Sequence, residues 1–292
     1  LTSTTLGDVT FNNTLDGGFA LTVNTGGKTV FNNQVGAATA LTSITTDAAG
    51  SAQFQDTGPV AAGATPLVTI KTTGAQTYND QALLASDTMF ASGADLVFNN
   101  TIDGAFNLTI NTAGQTQFND QIGATARLKT ITTDAPGSVR FKDSVGTTVG
   151  GVTTYAIKIY TTGAQAFNDK VILENDATFD TTKDVATGAN ITFGDTVNGV
   201  ADGVQSLTLN SGTAGLVSVV GAMGDVQALK TFTLTNSGGA GFAAVKTSTS
   251  VVLSDTVAGK TIRFSGSLTT PLLTTMAKGY NVELSGSSKI GR

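Results

Sequence analysis

Residues 8–36 read DVTFNNTLDGGFALTVNTGGKTVFNNQVG, and residues 95–123 read DLVFNNTIDGAFNLTINTAGQTQFNDQIG. The two segments carry the same residue at 18 of 29 positions and are offset by 87 residues. An internal repeat restricts the choice of fold more strongly than average composition does. We therefore divide the chain into two homologous super-repeats, 8–94 and 95–183, followed by degenerate repeats over 184–292.

A shorter period lies inside each super-repeat. It consists of an aromatic residue, a polar residue, Asn or Asp, and then an aliphatic residue two positions later, and it recurs at short, nearly even intervals. A unit this small cannot bury its own apolar face, so copies must stack with like positions over like positions. We predict that the aromatic residues form a buried structural ladder: Phe11, Phe31, Phe54, Tyr78, Phe98, Phe118, Phe141, Phe167 and Phe193.

Short alternating phrases separate the aromatic residues, such as LTVNT at Leu21 and LTINT at Leu108. Their period of two indicates strands with one buried face, and Gly, Asn and Asp between them indicate tight turns. The sequence therefore predicts an all-β protein, a single-chain β-solenoid over 1–292, in the form of a right-handed parallel β-helix of about 13 coils. Tandem immunoglobulin-like β-sandwich domains of about 88 residues are the alternative, because the long period is also a domain length.

Composition excludes several classes of function. The 292 residues include 35 glycines, no histidine, no cysteine and no tryptophan, which removes imidazole catalysis, thiol chemistry, disulfides and the usual zinc ligands. The net charge is −5 without a basic cluster, so we expect no nucleic-acid partner. No apolar run reaches the roughly 18 to 20 residues of a membrane helix, so we expect no membrane span.

The phrases FNN and FND, TTGAQ at Thr72 and Thr161, and ITTDA at Ile44 and Ile131 recur throughout the first two thirds of the chain. In this the chain resembles the β-strand-repeat regions of large secreted bacterial exoproteins, the filamentous-haemagglutinin-like adhesins and autotransporter passengers. The resemblance implies a secreted or cell-surface, extracellular β-helical stalk concerned with adhesion or filament assembly. We expect a structural protein and no enzyme.

Carboxylates two positions after the aromatic residues raise the question of a calcium ladder, since hard cations prefer oxygen ligands. The competing interpretation is that Asn and Asp stabilise corners through their own backbone. We favour corners, and therefore expect no cofactor, with calcium as the one ion to consider. The carboxylates concerned are Asp56, Asp80, Asp120, Asp143, Asp169 and Asp195.

The column just before these positions predicts an amide ladder with side chains bonded from coil to coil. Its members are Asn12, Asn32, Asn79, Asn99, Asn119 and Asn168.

A threonine array suggests either simple β-propensity or, as a minor hypothesis, a flat ice-binding face. The array comprises Thr25, Thr45, Thr46, Thr72, Thr112, Thr132 and Thr161.

A polysaccharide-binding or polysaccharide-processing β-helix is the alternative function. Its best residues are Arg140, Lys142 and Asp143, since the basic pair departs from the repeat. Glycoside hydrolysis requires two paired carboxylates, and the sequence shows no such pair. Neither Leu1–Gly7 nor Gly286–Arg292 is typical of a cap. We therefore expect the partners to be further coils of a parent chain or copies of this chain, with host-surface or matrix polysaccharide as a further partner.

Overall fold

The structure is a computed structural model that describes residues 1–4, 6–59 and 65–291. These residues form 34 β-strands, and none of them lies in an α-helix. A helix that could cross a membrane is accordingly not found in this part of the chain. The chain forms two compact units, Leu1–Ser138 and Val139–Arg292.

The strands of unit 1 are short because Gly, Asn and Asp interrupt each apolar alternation within a few residues. They are β1 Thr2–Ser3, β2 Val9–Phe11, β3 Ala20–Thr25, β4 Lys28–Phe31, β5 Ser43–Thr46, β6 Ser51–Phe54, β7 Leu67–Thr72, β8 Gln76–Tyr78, β9 Gln81–Leu84, β10 Asp87–Ser92, β11 Leu96–Phe98, β12 Ile102–Asp103, β13 Asn107–Thr112, β14 Gln115–Phe118 and β15 Thr130–Thr133.

The next strand, β16 Ser138–Phe141, begins at the boundary between the units. Unit 2 continues with β17 Thr147–Val149, β18 Val152–Thr154, β19 Ala156–Tyr160, β20 Gln165–Phe167, β21 Lys170–Leu173, β22 Asp176–Asp180, β23 Ile191–Phe193, β24 Val197–Gly199, β25 Leu207–Asn210, β26 Val217–Val219, β27 Leu229–Asn236, β28 Ala240–Phe242, β29 Val245–Leu253, β30 Thr261–Phe264, β31 Leu268–Thr270, β32 Leu273–Thr275, β33 Asn281–Leu284 and β34 Lys289–Ile290.

Unit 1 is built from three parallel sheets that successive turns of the chain extend in order. Sheet A has the strand order β1-β3-β5-β8-β11-β14, sheet B has β2-β4-β6-β9-β12, and sheet C has β7-β10-β13-β15. From β6 to β14 the chain passes through sheet B, then sheet C, then sheet A, whereas the earlier turns add strands to sheets A and B only. Successive turns thus extend parallel sheets, which is the architecture of a β-solenoid.

Unit 2 repeats this construction. Sheet D has the order β20-β23-β26-β28-β30-β33, sheet E has β19-β22-β25-β27-β29-β31-β34, and sheet F has β16-β21-β24. Strand β32 also pairs with β29. The pairing is parallel in sheets D and E and between β21 and β24 of sheet F, whereas β17 and β18 pair antiparallel.

These pairings confirm the all-β solenoid, with about 12 turns in total. The immunoglobulin-like alternative is wrong, because sandwich domains are assembled from antiparallel strands. The expected number of coils is slightly too high because not every interval between aromatic residues is a full turn. The interval from Phe54 in sheet B to Tyr78 in sheet A is 24 residues long, but it passes only from sheet B through sheet C to sheet A, which is two thirds of a turn.

Like residues lie over like residues where successive turns have similar lengths. Phe11 pairs with Phe31, and Phe31 pairs with Phe54, in sheet B. The next turn is longer and places Leu84 beside Phe54. Glycine permits the tight corners between strands: Gly50 has a φ of 105°, and a side chain there would overlap the Gly27 carbonyl oxygen.

Homologous strands of the two super-repeats occupy different sheets. Strand β2 lies in sheet B but its homologue β11 lies in sheet A, whereas β3 lies in sheet A and its homologue β13 in sheet C. Strands β4 and β14, and β5 and β15, show the same displacement. The chain makes three full turns from Phe11 to Leu84, which both lie in sheet B. From Leu84 it passes through sheet C and reaches Phe98 in sheet A, which is two thirds of a further turn. One super-repeat is therefore a third of a turn short of four full turns, and homologous strands fall on different sheets.

Candidate functional site

The predicted aromatic ladder is divided among several sheets. Phe11, Phe31 and Phe54 stack in sheet B, with ring centroids 5.2 and 5.6 Å apart and interplanar angles of 6° and 7°. In sheet A, Tyr78, Phe98 and Phe118 form a second stack with centroid distances of 5.2 and 5.7 Å, whereas Phe167 and Phe193 lie in sheet D and Phe141 lies in β16. A single column of nine rings is therefore wrong, because the longer turn moves the sequence pattern to another sheet.

A perpendicular ring contact marks the change of sheet in unit 1. Phe54 meets Tyr78 at 90° with centroids 5.3 Å apart, and Phe90 of sheet C meets Phe54 at 82° and 5.0 Å. Phe90 also contacts Phe98 at 5.1 Å. Phe54, Tyr78, Phe90 and Phe98 are all buried, so three sheets contribute to one aromatic cluster.

Sequence reasoning missed Phe90 and its homologue Phe179. In unit 2, Phe179 contacts Phe141, Phe167 and Phe193 at centroid distances of 5.1 to 5.2 Å. The two phenylalanines end the phrases DTMF at 87–90 and DATF at 176–179, which are 89 residues apart and share their first and last residues. Neither phrase has Asn or Asp two positions after the phenylalanine, so the aromatic motif does not identify them.

The six carboxylates proposed as a calcium ladder do not form one column. Asp56 follows a strand of sheet B, Asp80 and Asp120 follow strands of sheet A, and Asp169 and Asp195 follow strands of sheet D. Asp143 follows β16. In the residues that the structure describes, no group of three or more acidic side chains converges on a common point. The rotation of the repeat pattern separates side chains that the sequence aligns.

Different aspartates connect successive turns in unit 1. The Lys28 amide donates to Asp8 Oδ1 at 2.8 Å, across 20 residues of sequence. The amides of Ala38 and Thr39 donate to Asp16 Oδ1 at 2.8 and 3.0 Å. Each carboxylate thus satisfies backbone donors of the following turn, at the start of strand β4 for Asp8 and in a loop for Asp16.

The second super-repeat contains the same two sets of hydrogen bonds between an aspartate and the backbone of the following turn. The Gln115 amide donates to Asp95 Oδ1 at 2.9 Å, and the Thr125 and Ala126 amides donate to Asp103 Oδ1 at 2.8 and 2.9 Å. Sequence reasoning did not single out these aspartates, although Asp8 of DVTF recurs as Asp95 of DLVF. Asp16 of LDGG likewise recurs as Asp103 of IDGA.

The predicted amide ladder is present as two separate runs. Asn32 Nδ2 donates to Asn12 Oδ1 at 2.9 Å. In the other run, Asn99 Nδ2 donates to Asn79 Oδ1 at 2.7 Å, and Asn119 Nδ2 donates to Asn99 Oδ1 at 2.6 Å. These bonds join each turn to the next and confirm the expectation of coil-to-coil amide bonding for these residues.

The TTGAQ phrase forms a buried corner in unit 1. Gln76 is fully buried, and its Nε2 donates to the carbonyl oxygens of Ile70 at 3.2 Å and Ala91 at 3.0 Å and to Thr72 Oγ1 at 3.2 Å. Its Oε1 accepts a bond of 3.0 Å from the Tyr78 hydroxyl. One glutamine therefore joins two turns and satisfies a buried tyrosine.

Unit 2 contains the same corner with one substitution. Gln165 Nε2 donates to the carbonyl oxygens of Ile159 at 3.0 Å and Asp180 at 3.3 Å and to Thr161 Oγ1 at 3.2 Å. Phe167 stands where the first corner has Tyr78. Gln165 Oε1 is consequently buried with no hydrogen-bond partner among the described residues.

We expect Phe167→Tyr to raise the free energy of unfolding by about 1 kcal/mol, because the new hydroxyl satisfies Gln165 Oε1. Tyr78→Phe is expected to lower it by about 1–3 kcal/mol, because it leaves Gln76 Oε1 unsatisfied. Urea denaturation followed by circular dichroism measures both. A loss of stability for Phe167→Tyr as large as that for Tyr78→Phe would contradict the equivalence of the two corners.

Asp80 is buried at the end of β8, where the Thr46 hydroxyl donates to its Oδ1 at 2.6 Å. Its Oδ2 is buried and has no hydrogen-bond partner among the described residues. Burial raises the pKa of Asp80 to about 6, because the lowering by the Thr46 hydrogen bond is smaller and the negative charge of Asp47 raises this pKa further. The folded state therefore favours the neutral carboxylic acid.

We expect the stability contributed by neutral Asp80 to be fully present below about pH 4 and lost as pH rises through about 6. At pH 7 and above, ionised Asp80 lowers the free energy of unfolding by about 1–3 kcal/mol, because its pKa is higher in the folded than in the unfolded chain. Nearby solvent screens part of this difference. Asp80→Asn keeps an acceptor for Thr46 and should therefore become more stable than the parent chain above pH 6. Urea denaturation between pH 4 and 8 measures this difference.

Asp225→Asn, which removes a carboxylate at an exposed position, is the matched control variant. Parallel pH profiles for Asp80→Asn and the parent chain would show that Asp80 ionises normally in the folded state.

The threonine array does not form an exposed face. Five of its seven members, Thr25, Thr46, Thr72, Thr112 and Thr161, are buried. Thr72 and Thr161 donate to the carbonyl oxygens of Gly74 and Gly163, each at 2.6 Å. The ice-binding hypothesis is wrong for these residues, because their hydroxyls close corners inside the turns.

The residues considered for polysaccharide processing have structural contacts. Arg140 forms an ion pair with Glu174, with Nε and Oε1 2.9 Å apart. Asp143 is buried and accepts bonds from the amides of Val145 and Gly146. Lys142 is half-buried beside it. Arg140 thus lies in β16 with its charge balanced by a glutamate, and Asp143 is committed to the backbone of the loop that follows the strand.

Comparisons of this chain with protein-family models, with curated proteins and with solved structures found no match.

Proposed function

We propose that this chain is a stalk segment of a secreted bacterial surface protein or extracellular filament, and that it acts mechanically as a stiff structural element. The observation that carries the proposal is the use of polar side chains in both super-repeats. Aspartates, asparagines and glutamines, which in other folds often bind ligands, here bind the backbone or side chains of the next turn.

In unit 2, aspartates also accept hydrogen bonds from the backbone of a following turn, and this supports the proposal. The Ser206 amide donates to Asp176 Oδ1 and the Ala228 amide donates to Asp202 Oδ1, each at 2.8 Å. Such bonds cross the gap between turns in addition to the parallel strand ladders. A pull along the stacking direction is then resisted by corner bonds as well as by the sheets.

Association through the outermost strands of the sheets belongs to the same proposal. Leu1 and Leu6 at the beginning, and Leu284 and Ile290 near the end, are exposed at 64, 74, 39 and 39%. Open strand edges with apolar side chains pair with further strands unless they are covered. Further turns of a parent chain, or copies of this chain, are the partners that this geometry fits.

The polysaccharide alternative gains no support from the exposed aromatic residues. Phe19 and Tyr155 are the large aromatic side chains with exposures of 78 and 49%, and they lie in different units. A sugar-binding groove requires several such rings side by side.

Single-molecule force spectroscopy, with handles attached near the two termini, tests the mechanical role. We expect resistance followed by stepwise extension, with each turn releasing about 70–90 Å. Asp16→Ala and Asp103→Ala should lower the force of the first steps. Smooth extension from the lowest force, as for an unfolded chain, would refute a mechanical stalk, and retention on pectin-like or mannan-like polymers would favour the alternative.

A further inference from the structure

One hairpin projects from the solenoid pattern of unit 2. Strands β17 and β18 are antiparallel, with Thr147 opposite Thr154, Thr148 opposite Thr153 and Val149 opposite Val152. The turn between them is Gly150–Gly151, with φ angles of 59° and 80°. Consecutive positive φ values are those of a type I′ turn, whose twist matches the twist of the strands.

The base of the hairpin is fixed to the solenoid by one buried carboxylate. Asp143 Oδ1 accepts bonds from the amides of Val145 at 3.1 Å and Gly146 at 2.7 Å, and its Oδ2 accepts one from the Ala156 amide at 3.1 Å. The Asp143 amide itself donates to Asn175 Oδ1 at 2.8 Å. The hairpin is therefore held at both of its ends.

The hairpin is apolar and exposed. Val145, Val149, Val152 and Tyr155 are exposed at 67, 75, 64 and 49%. Residues 144–157 contain no charged side chain and no proline. Strands β17 and β18 pair only with each other in the described part of the chain, so each has a free edge. Natural edge strands usually carry lysine, proline or a bulge against pairing, and this hairpin has none of these.

We propose that the hairpin binds the hairpin of a second copy of this chain, edge to edge, to form a four-stranded antiparallel sheet. Residues 147–154 read TTVGGVTT in both directions, so the two free edges of the hairpin carry the same residue types, and antiparallel pairing of one edge with its copy follows a two-fold axis. The net charge of −5 opposes contact between most surfaces of two copies, but residues 144–157 add nothing to that repulsion.

The contact is weak for a single pair of chains. Two three-residue edges bury far less than the roughly 1,200–2,000 Å² of a stable interface. Many chains side by side in an extracellular layer would make many such contacts, and their combined strength would be high. The hairpin contact is thus distinct from association through the outermost strands of the sheets.

Sedimentation equilibrium of the full chain tests this, at concentrations up to the millimolar range. We expect a monomer–dimer equilibrium, and we expect Val149→Lys with Val152→Lys to weaken it at least tenfold. Val220→Lys with Val226→Lys, at exposures of 65 and 70%, is the control with the same change of charge, and should stay within twofold of the parent. Thermal melts confirm that both variants fold.

Single cysteines locate the contact, because the chain contains none. Under mild oxidation, Thr148→Cys or Thr153→Cys should form disulfide-linked dimers faster than Val226→Cys. A monomer at every concentration would overturn the proposal, as would equal weakening by the hairpin and control variants. If dimers persist when Val149 and Val152 are both replaced by lysine, association occurs through another surface, such as the outermost strands of the sheets. That result would also overturn the proposal.

Discussion

Phe54→Ala is expected to lower the free energy of unfolding by about 3–5 kcal/mol, the largest loss for any single substitution considered for this chain. Phe54 is fully buried, stacks on Phe31 at 5.6 Å and contacts Tyr78 and Phe90 edge-on. The ring fills the point at which the aromatic pattern passes to another sheet. Removing it opens a cavity that side chains from three sheets would have to fill.

Urea denaturation followed by circular dichroism measures this loss. Phe19→Ala removes the same ring from a position exposed at 78% and serves as the control, with an expected change below about 0.5 kcal/mol. A loss below about 1 kcal/mol for Phe54→Ala would show that the aromatic cluster does not hold unit 1 together.

Gln76→Ala is expected to cost about 3 kcal/mol, because three acceptors and the Tyr78 hydroxyl lose their partner inside the protein. Unsatisfied buried polar groups cost about 1–3 kcal/mol each, although neighbouring groups relax and the costs do not add fully. Amide hydrogen exchange offers a local readout, since protection should fall in β7 and β10.

Gln53→Ala is the control for the buried glutamine. Gln53 is half-buried, and its Nε2 donates to Gln55 Oε1 at 2.9 Å on the outer side of the chain. Water replaces such a bond, so we expect a loss below about 1 kcal/mol. Similar losses for Gln53→Ala and Gln76→Ala would argue against a special role for the TTGAQ corner.

Much of the core could be predicted from the sequence. The alternation in LTVNT and LTINT identified the strands β3 and β13, and the recurring phenylalanines identified the side chains that fill the interior. The amide ladder was also predictable, because asparagines at the same position of successive stacked repeats lie next to each other. These features follow from local pattern and from the need of small units to bury an apolar face.

The polar sites were harder to predict. Thr72 and Thr161 alternate with apolar residues like solvent-facing threonines, but both are buried because their hydroxyls bond a carbonyl two residues later. The carboxylates of Asp16 and Asp103 accept hydrogen bonds from backbone amides 22 and 23 residues away. Which amides these are depends on the length of the intervening turn. A carboxylate in a loop gives no sequence signal for the donor that it meets.

By itself, the sequence determined that short strands repeat, that their aromatic and aliphatic side chains face inward and that turns stack in parallel, because a single repeat unit is too small to bury those side chains alone. Only the tertiary structure decided on which sheet each repeat lies. The turn from Phe54 to Leu84 is 30 residues long, against 20 and 23 residues for the two turns before it, and homologous strands such as β2 and β11 lie on different sheets. The physical reason is that stacking fixes the register of neighbouring strands, whereas the length of a turn depends on polar loops that carry no hydrophobic pattern.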